Sequence, residues 1–171
     1  MIYINIGSNL SSKQGDRFYH LNKSISLINL QQIKIVKISS IYETPSYPNK
    51  KNPKFLNVCL AIDSKITPDA LIKIFKIIEK KLNRNKGQKN QPRTCDIDII
   101  DYQKDIIKTK NLTIPHPRAH LRNFVLFPLY EICPNWSHPV LNKKIRLLIK
   151  NLNFKLRNEI TRLIESVIIK K

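Results

Sequence analysis

The period of the apolar residues switches repeatedly between two and about three and a half along residues 2–102, and this restricts the fold more than any other feature. Ile2, Ile4 and Ile6 alternate as a strand, closed by the turn combination Gly7-Ser8-Asn9. Phe18, Leu21, Ile25 and Ile28 then recur at helical spacing. Ile33 to Tyr42 reads as a second strand whose apolar phase slips at Ile35-Val36, as a bulge would require. Phe55 to Asp63 reads as a third, with Val58, Leu60 and Ile62 on one face and Asn57, Cys59 and Ala61 on the other. Thr67-Pro68-Asp69 opens a second helix with a capping hydroxyl, a first-turn proline and an acid near the positive end. Leu71, Phe75, Ile78 and Leu82 form its buried stripe, which puts Lys76 and Glu79 elsewhere on the helix surface. Asp96 to Tyr102 is a fourth strand.

Strand, helix, strand, strand, helix, strand is satisfied by one antiparallel sheet with both helices on one face. That is the α+β, ferredoxin-like βαββαβ arrangement. Its second face is expected to stay open for a ligand or further elements. Phe124 to Cys133 reads as a short helix, and apolar residues from Ile145 to Val167 predict additional C-terminal helices. A chain of 171 residues, 42% hydrophobic, supports one core. We therefore expect a single domain over residues 1–171, with a basic amphipathic tail from about residue 142 packed on it.

No run of apolar residues is long enough to span a bilayer. Met1 to Gly7 alternates as a strand and lacks a charged leader and cleavage site, which argues against a signal peptide. Cys59, Cys95 and Cys133 form no disulfide framework, so a reducing cytoplasm is expected. The net charge of +19 suggests nucleic acid, yet the lysines are spread along the whole chain and no recognition-helix, zinc-finger or aromatic RNP pattern occurs. The expectation is a monomer acting on small molecules, with no specific nucleic acid and no membrane. A basic RNA-binding module is the alternative, and it would need exposed aromatics on the central strands.

The chemistry concentrates in Pro92-Arg93-Thr94-Cys95-Asp96-Ile97-Asp98-Ile99. Residues two apart on a strand share a face, roughly 6.5–7 Å apart, so Asp96 and Asp98 point together while Ile97 and Ile99 point away. Two hard oxygen ligands at that spacing suit one or two Mg²⁺ against a polyphosphate. Arg84, Lys86, Lys89 and Arg93 stand just upstream as cations for phosphate oxygens. Carboxylates for metal beside cations for phosphate are what phosphoryl transfer uses. The proline-rich segment from Thr44 to Pro53 is a long loop, and such loops are often functional.

These pieces, in this order, resemble the 6-hydroxymethyl-7,8-dihydropterin pyrophosphokinase family of the folate pathway, over nearly the whole chain. The matching stretches include Ile6-Gly7-Ser8-Asn9-Leu10, Tyr42-Glu43-Thr44-Pro45, Phe55-Leu56-Asn57 and Pro92 to Ile99. Ile114-Pro115-His116-Pro117-Arg118 and Arg122-Asn123-Phe124-Val125-Leu126-Phe127-Pro128 follow. The resemblance implies transfer of the β,γ-diphosphate of ATP to the hydroxymethyl group of the reduced pterin. It implies that Asp96 and Asp98 hold two Mg²⁺, and that Arg84 and Arg93 are catalytic phosphate contacts. It places Lys76, Glu79, Lys86, Ile99, Leu112, Thr113, His116 and Arg122 with ATP. It places Thr44, Pro45, Tyr47, Phe55, Asn57 and Phe124 with the pterin, the two phenylalanines stacking on its faces. Three departures stand out. Lys86 replaces a usual arginine, Lys89-Asn90-Gln91 replaces Arg-Trp-Gly, and Leu82-Asn83-Arg84 lacks a central glycine.

Overall fold

The structure, a computed structural model, describes residues 1–84 and 91–167. In chain order it contains β1 (Ile2–Ser8), α1 (Arg17–Asn29), β2 (Lys34–Ile38), β3 (Tyr42–Thr44), β4 (Phe55–Asp63), α2 (Pro68–Lys81) and β5 (Asp96–Tyr102). These are followed by β6 (Ile107–Lys108), β7 (Thr113–Ile114), α3 (Asn123–Ile132), α4 (Ile145–Asn151), α5 (Phe154–Asn158) and β8 (Thr161–Arg162). The main sheet is antiparallel in the order β5-β1-β4-β3-β8, with β2 also on β4. The ferredoxin-like expectation is met, with the carboxylate strand β5 at one edge.

The long β4 accounts for a difference from the expected second strand. β3 pairs with Phe55–Asn57 and β2 with Leu60–Asp63, so Ile33 to Tyr42 is divided between two short strands. Where the chain leaves β4, the Ser39 hydroxyl accepts the Cys59 N–H at 2.9 Å and keeps that group satisfied. The expected bulge is present, as a register shift between Ile35 and Lys37. The residues from Ile107 to Ile114 form a small hairpin of their own, β6 with β7.

α1 and α2 cover one face of the sheet through Leu21, Ile25, Leu71 and Phe75, packed on Ile4, Ile6, Leu60 and Ile97. At the start of α1, Asp16 accepts the Tyr19 N–H at 2.8 Å. Thr67 is the N-cap of α2, but its hydroxyl makes no capping bond; Pro68 in the first turn, with its preset φ, starts that helix. The second face takes further elements at one end and leaves the other for the site. Cys59, Ala61 and Ile100 make its far end apolar, and Val125, Leu126, Leu129 and Ile145 from α3 and α4 bury them with Trp136. A bulge where β1 meets β5 turns Asp101 to the same side, where its carboxylate accepts the Trp136 Nε1–H at 2.6 Å. The near end of this face carries Asp96, Asp98, Asn5, Gly7 and Asn57, and the polar site is built there.

The tail also differs from a plain helical run. α4 buries Ile145 and Leu148, and α5 is capped by Asn153, which accepts the Leu156 N–H at 2.8 Å. Beyond α5 the chain becomes β8, pairing with Tyr42 and Glu43. β3 would otherwise present an unpaired edge, and satisfying it outweighs the helical spacing of Ile160 to Val167. Leu163 packs on the helix-side core, whereas Ile164 is fully exposed. Among the described residues no helix is long and apolar enough to cross a membrane.

Candidate active site

Register builds the site. In β5, Asp96 lies opposite Gly7 of β1, which lies opposite Asn57 of β4; one step along, Asp98 lies opposite Asn5, and Asn5 opposite Cys59. Side chains of paired residues share a face, so the two carboxylates and Asn57 look out from one side of the sheet. Gly7 is what lets them converge. A Cβ at that position would make an ordinary contact with the Phe55 ring at 3.5 Å but stand 3.3 Å from Asn57 Oδ1, close enough that the buried amide would have to shift by a few tenths of an ångström. The Asn57 amide is buried and donates to Thr44 Oγ1 at 3.2 Å.

Asp96 is held between two guanidinium groups, Arg84 Nη1 at 2.6 Å and Arg93 Nη1 at 2.9 Å. Asp98 faces Arg122 Nη1 at 3.6 Å and His116 Nε2 at 3.9 Å. Burial, and then the neighbouring Asp96 charge, push the Asp98 carboxyl up to about 6. His116 moves the other way. Burial, reinforced by Arg122 and Arg118, lowers its imidazole to about 4, so the ring is neutral near pH 7. His116 Nδ1 lies 3.1 Å from the Arg118 N–H, and its Nε2 lies 3.3 Å from Arg122 Nη1, which can only donate, and 3.9 Å from Asp98. Arg122 also lies over the Phe124 ring, 5.3 Å from its centroid.

One expected position is corrected by this geometry, and it places the others. Glu79 is not on the helix surface: it is 2% exposed, accepts the Ile97 N–H at 2.8 Å and ion-pairs with Arg84. β5 is an edge strand, and the Glu79 carboxylate satisfies one of its outward N–H groups. Lys76 is exposed and reaches Glu79 at 3.0 Å, so it joins the cluster through Glu79. The Ile99 and Leu112 side chains are buried in the helix-side core and do not look into the carboxylate face. Thr113, beside Leu112 in β7, is half-buried. Pro45 is half-buried, and Tyr47 is 81% exposed. Lys86, Lys89 and Asn90 lie outside the described residues. Asn83, where a glycine was expected, has φ of 60°, and asparagine is the side chain that best tolerates that left-handed helix end.

Sequence reasoning missed the role of Asn9, which it gave only as part of a turn and of a matching stretch. The residue is 1% exposed and binds two segments at once: Nδ2 donates to Ser46 Oγ and to the Pro53 carbonyl, both at 3.0 Å, while Oδ1 accepts the Arg93 N–H at 2.7 Å. The available signal was an asparagine directly after Gly7-Ser8, since asparagine serves as a side-chain bridge to backbone in such turns.

The donor set also fits divalent cations. Among the described residues no cluster of three or more His, Cys, Asp or Glu could hold a metal by itself. Mg²⁺ takes one or two protein carboxylates and completes its shell from water and phosphate, which is what Asp96 and Asp98 offer. Burial and, after it, the Asp96 charge raise the Asp98 carboxyl, and a cation bound at the pair would offset both.

Residues 3–134 match the family model described as 7,8-dihydro-6-hydroxymethylpterin-pyrophosphokinase (HPPK). The chain is 35% identical over 145 residues to the 2-amino-4-hydroxy-6-hydroxymethyldihydropteridine pyrophosphokinase of Aquifex aeolicus, covering 85% of this chain and 88% of that one. For the Bacillus subtilis protein of that name the identity is 37% over 132 residues, 77% of each chain. The folic acid synthesis protein fol1 of Pneumocystis carinii is 36% identical over 144 residues, 84% of this chain and only 19% of that longer one. A Plasmodium falciparum HPPK-DHPS structure shares the fold, with a TM-score of 0.72 at 16% identity over 94% of this chain and 46% of that one. With the motif order, the sheet and these matches in agreement, the chain belongs to the 7,8-dihydro-6-hydroxymethylpterin-pyrophosphokinase family.

Proposed function

We propose that this chain transfers the diphosphate of ATP to the hydroxymethyl oxygen of 6-hydroxymethyl-7,8-dihydropterin, giving AMP and the pterin diphosphate for folate synthesis, at the face shared by Asp96, Asp98 and Asn57. The observation that carries the proposal is the division of that face: two carboxylates among three arginines on one side of Gly7, and Phe55, Asn57 and Thr44 on the other. Bound between Asp96 and Asp98, two Mg²⁺ would neutralise phosphate charge and polarise the attacking hydroxyl.

The protein's own groups account for the remaining requirements. Arg84 and Arg93, paired with Asp96 in the free protein, present planar forks suited to phosphate oxygens. Arg122, stacked on Phe124, adds a third positive group, and the neutral His116 ring stands beside it with Nε2 3.3 Å from Arg122 Nη1. Phe55 and Phe124 are the flat surfaces for the heterocycle, and Asn57 with Thr44 reads its polar edge through donor and acceptor together. Positioning and charge stabilisation supply most of the rate in such transfers. We also read the protein as a cytoplasmic monomer, a reading supported by free cysteines that form no disulfide framework and by substrates small enough for one chain to hold. The RNA-binding alternative finds no support, because Phe55 stands at the start of β4 and Phe124 on α3, outside the sheet.

Incubation with ATP, Mg²⁺ and the reduced pterin tests the reading. AMP and pterin diphosphate in equal amounts are expected, and ADP as the product would overturn it. The stacking role has its own consequence. Phe55→Ala is expected to raise the KM for the pterin about tenfold to a hundredfold, since stacking a base on an aromatic ring is worth roughly 1–3 kcal/mol, while the KM for ATP stays within about twofold. Equal changes in both constants would remove Phe55 from the pterin side.

A further inference from the structure

We propose that Asn9 is a positioning residue that couples the pterin side of the site to the phosphate side. The inference rests on the functional reading above and goes beyond it, because Asn9 stands outside both sets of expected ligand contacts.

The carboxamide of Asn9 is buried, and each of its two polar atoms holds a different segment. Both Nδ2 protons go to the segment that follows Thr44, one to Ser46 Oγ and one to the Pro53 carbonyl. Ser46 Oγ itself donates to that same carbonyl at 2.6 Å, so the two ends of the proline-rich loop close on the amide. Oδ1 takes the Arg93 N–H, and the Asn9 and Leu10 N–H groups both donate to the Arg93 carbonyl at 3.0 and 3.1 Å. The Arg93 peptide is therefore gripped at both its N–H and its C=O, and its guanidinium reaches Asp96. On the other side, Thr44 receives the Asn57 amide.

One contiguous path thus runs from Asn57 by a hydrogen bond to Thr44, along the backbone to Ser46, and by hydrogen bonds through Asn9 and Arg93 to Asp96. A ligand that orders the loop through Thr44 and Asn57 also steadies the amide that holds Arg93, and a phosphate that holds Arg93 steadies the loop. Coupling of this kind is carried by connected polar networks, and it is reciprocal: each ligand must raise the affinity of the other by the same factor. Asparagine alone meets the geometry. Aspartate would keep the acceptor for Arg93 and lose both donors, and alanine would lose all three bonds.

The test is calorimetric titration of the full chain, in Mg²⁺, with the reduced pterin and with α,β-methylene ATP, each alone and in the presence of the other. The wild-type protein is expected to show a coupling factor of about fivefold or more, equal in both directions. In Asn9→Asp the factor should fall to within about twofold of one, because the Arg93 anchor survives while the link to the loop is cut. Ser46→Ala, which removes one of the two loop anchors and disturbs Asn9 less, should give an intermediate factor. A merely structural role would weaken both ligands and leave the factor unchanged, and that result, or a wild-type factor of one, overturns the inference. A wild-type protein that binds neither ligand would sink the functional reading itself, and the coupling with it.

Discussion

Asp98→Asn is expected to lower turnover by about a thousandfold or more, with the fold intact. The size follows from the role: a cation polarising a transferring phosphoryl group is worth several kcal/mol, and each 1.4 kcal/mol or so is a factor of ten in rate. The fold should survive because the substitution keeps the side chain's shape on a partly exposed strand face and removes a charge that Asp96 disfavours. The stability of the free protein provides a second, independent check. Burial and Asp96 raise the Asp98 carboxyl in the folded state to about 6, so folding favours its protonated form. Its contribution is therefore fully present below the ordinary carboxylate range and is lost as pH rises from about 4 to about 6. The amide of the Asp98→Asn variant has no proton to lose. In denaturant titrations without metal, the wild type should lose stability relative to that variant across this window, and the difference should level off above pH 6. Turnover within about tenfold of wild type would refute the metal assignment; a flat stability difference would refute the raised Asp98 carboxyl.

The parts of this design that were legible in the sequence are those set by local periodicity. The alternation of Ile97 and Ile99 against Asp96 and Asp98 placed the carboxylates on one face because a strand leaves no other choice. The same logic assigned Val58, Leu60 and Ile62 to the helix side and Asn57 to the site side, where the register puts them. What periodicity does not carry is what lies across the edge of an element. Glu79 falls outside the stripe of α2 defined by Leu71, Phe75 and Ile78, so spacing sent it to solvent; only the unpaired N–H of an edge strand explains its burial. Ile99, which the alternation already turns away from the carboxylates, and Leu112 give their side chains to the core. Asn9 was hidden for another reason: its partners, Ser46, Pro53 and Arg93, are far apart in the chain, and a turn residue carries no periodic signal. The tail was misread past α5 because Ile160 to Val167 keeps helical spacing while β3 lacks a neighbour, and edge pairing decided the outcome.

Glu79→Ala should be the most destabilising single change around the site, costing about 3–5 kcal/mol, the usual penalty for removing one partner of a buried ion pair. Two groups are left behind. Arg84, largely buried, keeps only Asp96 as a carboxylate partner, and the Ile97 N–H on the strand edge loses its acceptor. For a chain of this length about 2–4 °C of Tm goes with each kcal/mol, so a fall of roughly 10 °C is expected in calorimetry. Glu79→Gln separates the two losses. The glutamine carbonyl can still accept the Ile97 N–H while the charge that balances Arg84 and Lys76 is gone, so its cost should be well under that of alanine. The contribution of Lys76 is small by the same reasoning, because it is exposed and its ammonium is screened: Lys76→Ala should change stability by less than about 1 kcal/mol. The kinetic consequence follows from Arg84. With Glu79 removed, Arg84 is left to pair with Asp96 alone, so ATP must compete with a tighter contact between these two groups. Glu79→Ala should therefore raise the KM for ATP more than that for the pterin, and a variant that melts near the wild type with both constants unchanged would show that the buried carboxylate holds neither the strand nor the arginine.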